Sequence, residues 1–273
     1  MKRLLSLATI LLLSATILPG YAAAKNDKST AAKATITREY GYIKNFSALK
    51  AAHGVNVIYT VSTGAVKVSM KASPDVIDRF EARLDSDGTL VLGAKHKKSS
   101  KDDKGCASSA TVYISGPAVS ELTAASAAEI NVRGEYALNG NLDLKTSSAA
   151  NVTFSSISAN KVEIDASSAS CFRVEQDCTC HCIEIDAASA ASVSVKGIKA
   201  KSLEVDAASS AGVTVSGSAE DVEYDAASTA KITAKGLKAA RGVAKAASCA
   251  NISCDVASLR QSVASYGSVK NSR

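Results

Sequence analysis

Four aspartates, Asp165, Asp186, Asp206 and Asp225, recur at intervals of 21, 20 and 19 residues, and a glutamate precedes each by two: Glu163, Glu184, Glu204 and Glu223. Carboxylates repeated in this way have two readings. They can gather a divalent cation or a basic ligand, as in a pectate-lyase-like Ca²⁺ site. Or they are outward positions copied with a repeat, the Asp side chains accepting from backbone N–H groups at a turn. Copying is the simpler reading. It places like charges about 4.8 Å apart within each lane, close enough to raise some of their pKa values unless cations intervene. Lys161, Lys196, Lys199, Lys201 and Lys235 are the candidates to offset them.

The seven cysteines are Cys106, Cys171, Cys178, Cys180, Cys182, Cys249 and Cys254, an odd number that leaves at least one thiol over. Cys178-Thr179-Cys180-His181-Cys182 has the composition of a metal site. Along a strand, however, its thiols would stand roughly 7 Å apart in a row, whereas tetrahedral sites draw on turn-type spacing. A local disulfide between this segment and Cys171 is the other use, and an exported chain permits it. Cys254 falls on an inward position and reads as a buried free thiol. The histidines, His53, His96 and His181, lie in unrelated segments, and the many serines are periodic rather than set on a nucleophile elbow. Repetition argues against a reaction centre, which needs one irregular cluster. No catalytic, cofactor-binding or metal-binding residue is assigned, and no cofactor is expected.

The elements that carry these residues follow from one phrase repeated eight times between about Ser120 and Val269. Its clearest copy is Leu203-Glu204-Val205-Asp206-Ala207-Ala208-Ser209-Ser210-Ala211-Gly212-Val213-Thr214-Val215. The central serines are Ser126, Ser148, Ser168, Ser189, Ser209, Ser228, Ser248 and Ser265, spaced 17 to 22 residues apart. A period near 20 marks a solenoid whose coils cannot bury their apolar faces singly. Within a coil the apolar residues alternate: Leu203/Val205 with Val213/Val215, Ile183/Ile185 with Val193/Val195, Val162/Ile164 with Phe172/Val174, Leu142/Leu144 with Val152/Phe154. Period two over β-branched runs means strands, and the spacing that helices need is absent. The small residues between paired strands make a sharp corner. The fold class is therefore all-β, a parallel β-helix of about eight coils over residues 119–273.

Upstream, residues 1–24 read as a secretory signal peptide: Lys2 and Arg3, an apolar run from Leu4 to Leu18, then small residues, with cleavage after Ala24. The apolar run is short for a membrane span and no second one follows, so no stable membrane insertion is expected. Removing Lys2 and Arg3, with no acid among residues 1–24, takes the formal charge from +6 to +4, a mild excess that gives no case for nucleic acid. Residues 25–35 read as a disordered linker. Residues 36–118 read as an N-terminal β cap without the 20-residue period. Its strands are expected at Ile36 to Ile43, Val55 to Val61, Val66 to Lys71, Phe80 to Leu84, Thr89 to Leu92 and Thr111 to Ser115. Ser73-Pro74-Asp75 opens one helical turn, Asp85 to Gly88 makes a hairpin, and Lys95 to Lys104 is a solvated loop.

Three features resemble a known family, the putative auto-transporter adhesin head domains, or GIN domains, of Bacteroidetes. They are Asn45-Phe46-Ser47-Ala48-Leu49 followed by Gly54-Val55-Asn56-Val57-Ile58-Tyr59, the Asp-Gly-Thr-Leu stretch within Asp85 to Leu92, and the train of small-residue turns ending at Gly267-Ser268-Val269. The resemblance covers Ile36 to Val269. It implies a right-handed, two-sheet β-superhelix, similar to pectin lyases in architecture without their catalytic residues. It also implies an exported, non-enzymatic adhesion or binding module at the periplasm or cell surface of a Gram-negative bacterium. The partner would be a surface glycan or protein, and the assembly a homo-trimer. A polysaccharide-active, Ca²⁺-dependent enzyme and a purely structural envelope protein are the alternatives. The family turn is Gly-Ser-Gly, where this chain often has Ala, so ordinary backbone angles are expected at its corners.

Overall fold

Alternating Val, Ile and Leu produce strands whose inward faces can be buried only by stacking coil on coil, and the computed structural model, which describes residues 35–95 and 110–273, shows that stacking. The expected signal peptide with Ala24, residues 25–34 of the expected linker, His96, Cys106 and most of the Lys-rich stretch lie outside the described residues. The chain runs through β1 (Ile36–Glu39), β2 (Ala48–Ala51), β3 (Asn56–Val61), β4 (Lys67–Ala72), α1 (Pro74–Ile77), β5 (Phe80–Leu84), β6 (Thr89–Ala94) and β7 (Thr111–Gly116). It continues with β8 (Glu121–Ala124), β9 (Glu129–Ala137), β10 (Asn141–Thr146), β11 (Asn151–Ser158), β12 (Lys161–Ala166), β13 (Cys171–Val174), β14 (Cys178–Thr179) and β15 (Cys182–Ala187). Long bent strands close it: β16 (Ser192–Ala207), β17 (Gly212–Ala226), β18 (Lys231–Ala246), β19 (Asn251–Val263) and β20 (Ser268–Asn271).

From β8 onward every coil pairs in parallel with the next, as expected of a β-helix. One inward column reads Leu122, Leu144, Ile164, Ile185, Val205, Tyr224, Ala244. Opposite it, Ile130, Val152, Phe172, Val193, Val213, Ile232, Ile252 and Val269 form a second. A short third run of pairings stacks Tyr136, Ile157, Cys178, Ile198, Gly217 and Leu237. The core is not only aliphatic. Phe46, Tyr59, Tyr136, Phe154 and Phe172 follow one another with ring centroids 5.1 to 6.2 Å apart, two contacts being edge-to-face. Within this aromatic run the buried hydroxyls are satisfied by backbone: Tyr59 donates to the Pro117 carbonyl, and Tyr136 both donates to and accepts from Val119 at 2.8 Å, whereas the buried Tyr224 hydroxyl of the first column has no partner among the described residues.

The region 36–118 departs from the expected cap in one respect. β2 pairs in parallel with both β6 and β8, and β3 with both β7 and β9. Residues 48–61 are thus a coil of the solenoid, inserted between the 89–116 coil and the coil that starts at Glu121. The chain enters at the second level, turns back to build the first, then passes on to the third. Sequence spacing misses this coil because β4, α1, β5 and a second coil separate it from its neighbour at 121. The end beyond the first level is covered by antiparallel strands: β4 on β7, β1 on β4, and β5 on β6. Covering strands of this kind remove the open edge that a solenoid would otherwise present. The helical turn forms at α1 with Pro74 in its first turn, although the Ser73 side chain makes no capping bond.

The corners correct the expectation of ordinary backbone angles. At each of the eight serine corners two successive non-glycine residues take positive φ, for example Ser189 (52°) and Ala190 (63°) or Ser209 (53°) and Ser210 (66°). The coil at 48–61 does the same with His53 (61°) and Gly54 (71°). The left-handed region costs an L-residue roughly 1–2 kcal/mol, and here the surroundings over-determine it. The N–H of the second corner residue donates to the serine carbonyl of the next coil at 2.9–3.0 Å, as Ala127 to Ser148, Ala190 to Ser209 and Thr229 to Ser248. A ladder of corners therefore runs the length of the rod and holds the strained pairs in place. Ala190 is exposed, so its substitutions report the backbone alone. Ala190→Gly is expected to leave stability unchanged or raise it by up to about 1 kcal/mol. Ala190→Val should lower it by on the order of 1–2 kcal/mol, because a β-branched residue tolerates this region least. Denaturant midpoints of the two variants check the order.

Candidate functional site

Strand register turns the periodic acids into two straight lanes on one outer face. Asp165, Asp186, Asp206 and Asp225 are direct neighbours coil to coil, as are Glu163, Glu184, Glu204 and Glu223. Period-two alternation points both lanes outward while Ile164, Ile185 and Val205 between them point in. The aspartates do not cap the turns as the copying reading supposed. Those N–H groups are taken by the backbone ladder: Ala188 donates to Ala166, Ala208 to Ala187 and Ala227 to Ala207, each at 2.9 Å.

Cations sit mainly at the ends of the lanes. In the Asp lane, Lys145 occupies the register position before Asp165, and Lys245 the one after Asp225. Lys145 pairs with Asp143 at 2.7 Å and Lys245 with Glu223 at 2.6 Å. Lys161 bridges Glu163 (2.5 Å) and Glu184 (2.8 Å), and Arg241 grips Asp221 with two nitrogens at 2.7 and 2.8 Å. Among the described residues no cation pairs with Asp165, Asp186, Asp206, Asp225 or Glu204. Of the expected neutralisers only Lys161 serves the lanes. Lys199 pairs with Asp177 at 3.4 Å, and Lys196, Lys201 and Lys235 form none of the ion pairs among the described residues.

Partial burial, followed by the charge of neighbouring carboxylates, holds Asp165, Asp186, Asp206 and Glu204 above the ordinary carboxylate range. For Asp206 the chief neighbour is Asp225, and Lys245 partly offsets it. A carboxyl whose folded pKa is raised keeps a proton that the unfolded chain has released. Its favourable contribution is complete below the unfolded pKa and is lost as pH rises through the folded one. Asp206→Asn is therefore expected to raise the thermal midpoint near neutral pH, by an amount worth between zero and about 1 kcal/mol because solvent screens the lane. The gain should vanish at pH values below the carboxylate range. Melts of wild type and variant across that range check both size and direction, and a variant less stable at neutral pH contradicts the repulsion.

Two open grooves flank the lanes. One, about 430 Å³, is lined by the four lane aspartates, by Ala166, Ala187 and Ala207, and by Ser167, Ala188, Ala208 and Ala227 just before the corner serines. The other, about 440 Å³, is lined by Glu184, Glu204 and Glu223, by Asp221, Arg241 and Arg260, and by Leu203, Val222 and Gly242. No three of the acids, thiols and imidazoles among the described residues converge closely enough to hold a metal ion. Side chains that run parallel down a lane present their oxygens in a line, not around a centre.

The cysteine segment is not the continuous strand assumed from spacing. β14 ends at Thr179 and β15 begins at Cys182, so Cys180 and His181 form the far corner of their coil. Cys171, by contrast, begins the strand just after the serine corner at Ser168. Cys171, Cys178, Cys180, Cys182, Cys249 and Cys254 are all free, so the expected disulfide with Cys171 is not formed. Cys254 is buried as expected, next to Asn271, whose side chain accepts from Val256 N–H (3.0 Å) and donates to its carbonyl (2.9 Å), clamping the last coil. His53 lies at the first corner and His181 at a far corner, so neither meets the other or the lanes.

The sequence pattern of the family described as "Putative auto-transporter adhesin, head GIN domain" matches residues 45–181 and again residues 163–272. The chain belongs to this family. The two overlapping matches reflect the internal repeat. Solved structures similar to this GIN-domain chain include a putative adhesin from Parabacteroides merdae, 14% identical with a TM-score of 0.72, covering 88% of this chain and 96% of that one. A putative lipid binding protein from Parabacteroides distasonis is 16% identical with a TM-score of 0.65, covering 88% and 97%. A putative adhesin from Bacteroides fragilis is 19% identical with a TM-score of 0.60, covering 88% and 98%. At these identities the likeness is one of fold. No curated protein matches the chain. No helix among the described residues of the GIN-domain chain is long and apolar enough to cross a membrane.

The sequence reading missed three contributors to the lane face of this GIN domain: Lys145, Lys245 and Arg241. The signal for each was available. Lys145 and Lys245 stand at the Asp position of their own coils, and Arg241 stands one coil after Asp221, so aligning the repeats by register rather than by composition would have found them.

Proposed function

We propose that this chain is an exported, non-enzymatic recognition module of the cell envelope of a Gram-negative bacterium, and that it binds a surface glycan or protein along the outer face of its coils. The observation that carries the reading is register. Asp206 repeats Asp186 and Asp165 one coil at a time, and Glu204 repeats Glu184 and Glu163, so one surface offers the same groups in line beside two long, open grooves. Such a face suits an extended or repetitive ligand held by many weak contacts. It does not suit turnover, which needs one preorganised cluster. Membership in a family of adhesin head domains supports binding, and the N-terminal residues with their Ala24 cleavage site support export. Nucleic acid and stable membrane insertion are not part of the reading, and a homo-trimer is the assembly proposed from the family resemblance.

The test is a glycan and protein array probed with the purified chain and with the Asp186→Asn/Glu204→Gln/Asp206→Asn variant. A bound ligand class lost or weakened at least tenfold in the variant supports recognition by this face. Release of products from pectin-like polymers in the presence of Ca²⁺ would overturn the non-enzymatic reading. Recovery of the chain from envelope fractions with Met1 intact would contradict export by a cleaved signal peptide.

A further inference from the structure

The far corner of the Cys171–Ala187 coil holds a pair of thiols that neither the core nor the lane face requires. Cys178 is wholly buried in the third inward column, between Ile157 and Ile198, and Cys180 is 9% exposed, while Thr179 and His181 between and beside them face solvent. Cys178 and Cys180 stand two residues apart at this corner, both turned inward, and the neighbouring Cys180 thiol together with burial holds the Cys178 thiol well above the usual range. The corner is pinned from both sides: Cys180 N–H donates to the Lys199 carbonyl at 3.0 Å, and His181 N–H to the Asn160 carbonyl at 2.9 Å. Cys180 also stands at the edge of a separate open groove of about 430 Å³, lined by His181, Lys199, Lys201, Ser218 and Glu220. Thus one sulfur stands at the opening and the second lies behind it; Lys199 is paired with Asp177, while Lys201, in none of the ion pairs among the described residues, favours an anionic reactant. Cys182 does not join them. It lies on the outward side of β15, in line with Lys161 and Ser202, and lines the groove of the Glu lane.

We propose that Cys178 and Cys180 form a thiol–disulfide exchange site for small anionic disulfides, with Cys180 as the attacking sulfur and Cys178 as the resolving one. The oxidant is an organic disulfide, R–S–S–R. Cys180 loses its proton and its sulfur attacks one sulfur of the oxidant. The R–S–S–R bond breaks, the leaving thiolate takes a proton to become R–SH, and a Cys180–S–S–R mixed disulfide remains. Cys178 then loses its proton and attacks the Cys180 sulfur. The Cys178–Cys180 bond forms, the mixed disulfide breaks, and a second R–SH departs. The two protein thiols are oxidised by two electrons in all, and one external disulfide is reduced to two thiols. Thiolate attack of this kind is favoured where the attacking sulfur lies near a cation.

Oxidised glutathione serves as the probe. The chain is incubated with it, free thiols are blocked, and tryptic peptides are weighed. The peptide Val174–Lys196 contains Cys178, Cys180 and Cys182. It is expected to become lighter by two hydrogen atoms, to do so equally in Cys182→Ser, and to fail to do so in Cys180→Ser and in Cys178→Val. Valine suits a column position between two isoleucines, and circular dichroism confirms that this variant keeps its strands. In a Cys178→Val/Cys182→Ser chain the mixed disulfide should be trapped as one glutathione on Cys180. The proposal is overturned if the loss of two hydrogens requires Cys182. It is equally overturned if the Cys182→Ser peptide stays reduced, or carries separate glutathiones on Cys178 and Cys180, under conditions that modify the exposed Cys249.

Discussion

Val205→Asp is expected to abolish the cooperative unfolding transition. Val205 is wholly buried, stacked between Ile185 of the preceding coil and Tyr224 of the next. Removing its side chain from the core forfeits roughly 1.5–3 kcal/mol of apolar burial. The carboxylate that replaces it has no cation within the column, and the effective penalty for an unpaired buried charge is several kcal/mol more. Together these approach the whole stability of an ordinary domain, about 5–15 kcal/mol. The neighbouring change, Asp206→Asn, shifts one residue along the same strand and is worth at most about 1 kcal/mol. Urea titrations followed by circular dichroism compare the two. Similar midpoints for both variants would mean that the strand does not alternate between core and solvent as described.

Gly217→Ala is expected to cost about 2–5 kcal/mol, from backbone strain and overpacking together. Gly217 has φ +129° and lies where the pairing of β16 with β17 shifts register. A Cβ there would stand 2.2 Å from the Ile198 carbonyl oxygen and 2.4 Å from the Ile198 nitrogen. Both are backbone atoms of the adjacent coil, so relief requires breaking the ladder rather than turning a side chain. Gly134 supplies the control. It too has positive φ (+88°), but a Cβ would meet nothing within 4 Å, so Gly134→Ala should cost only the roughly 1–2 kcal/mol of backbone strain. Thermal midpoints of the two variants separate the close approach from the dihedral angle. Equal losses would contradict the packing described at the bulge.

The regular part of this architecture was legible because repetition amplifies weak signals. A single Leu-Glu-Val-Asp could be many things, but eight aligned copies with Ser209 and its equivalents at the centre allow few folds other than stacked strands. Most of the N-terminal strands were legible too, from β-branched runs between turn residues. The coil at 48–61 was not assigned to the solenoid, because its neighbours in space lie far along the chain and pairing order is not written in local spacing. The corner angles were misread for a different reason. Ala and Ser ordinarily avoid positive φ, and only the hydrogen bonds of the next coil, such as Ala190 to the Ser209 carbonyl, hold them there. The aromatic column likewise depends on tertiary placement: Phe46, Tyr59 and Tyr136 belong to three different strand contexts and meet only once the coils are stacked. At the candidate site the lanes were legible and their cations were not, since Lys145 and Lys245 act from the ends of a register that composition does not reveal.

On the function proposed above, the acidic lanes are a solvent-facing recognition surface, and the inward columns rather than a bound ion carry the stability of the rod. Thermal melts of the wild-type chain with and without Ca²⁺ test this most directly. Parallel carboxylates that converge on no common centre should bind the ion weakly, so the midpoint is expected to stay where it is. A large Ca²⁺-dependent rise in the wild type, absent in Asp206→Asn, would show that the Asp lane is a metal site on which the fold depends, and would contradict the account.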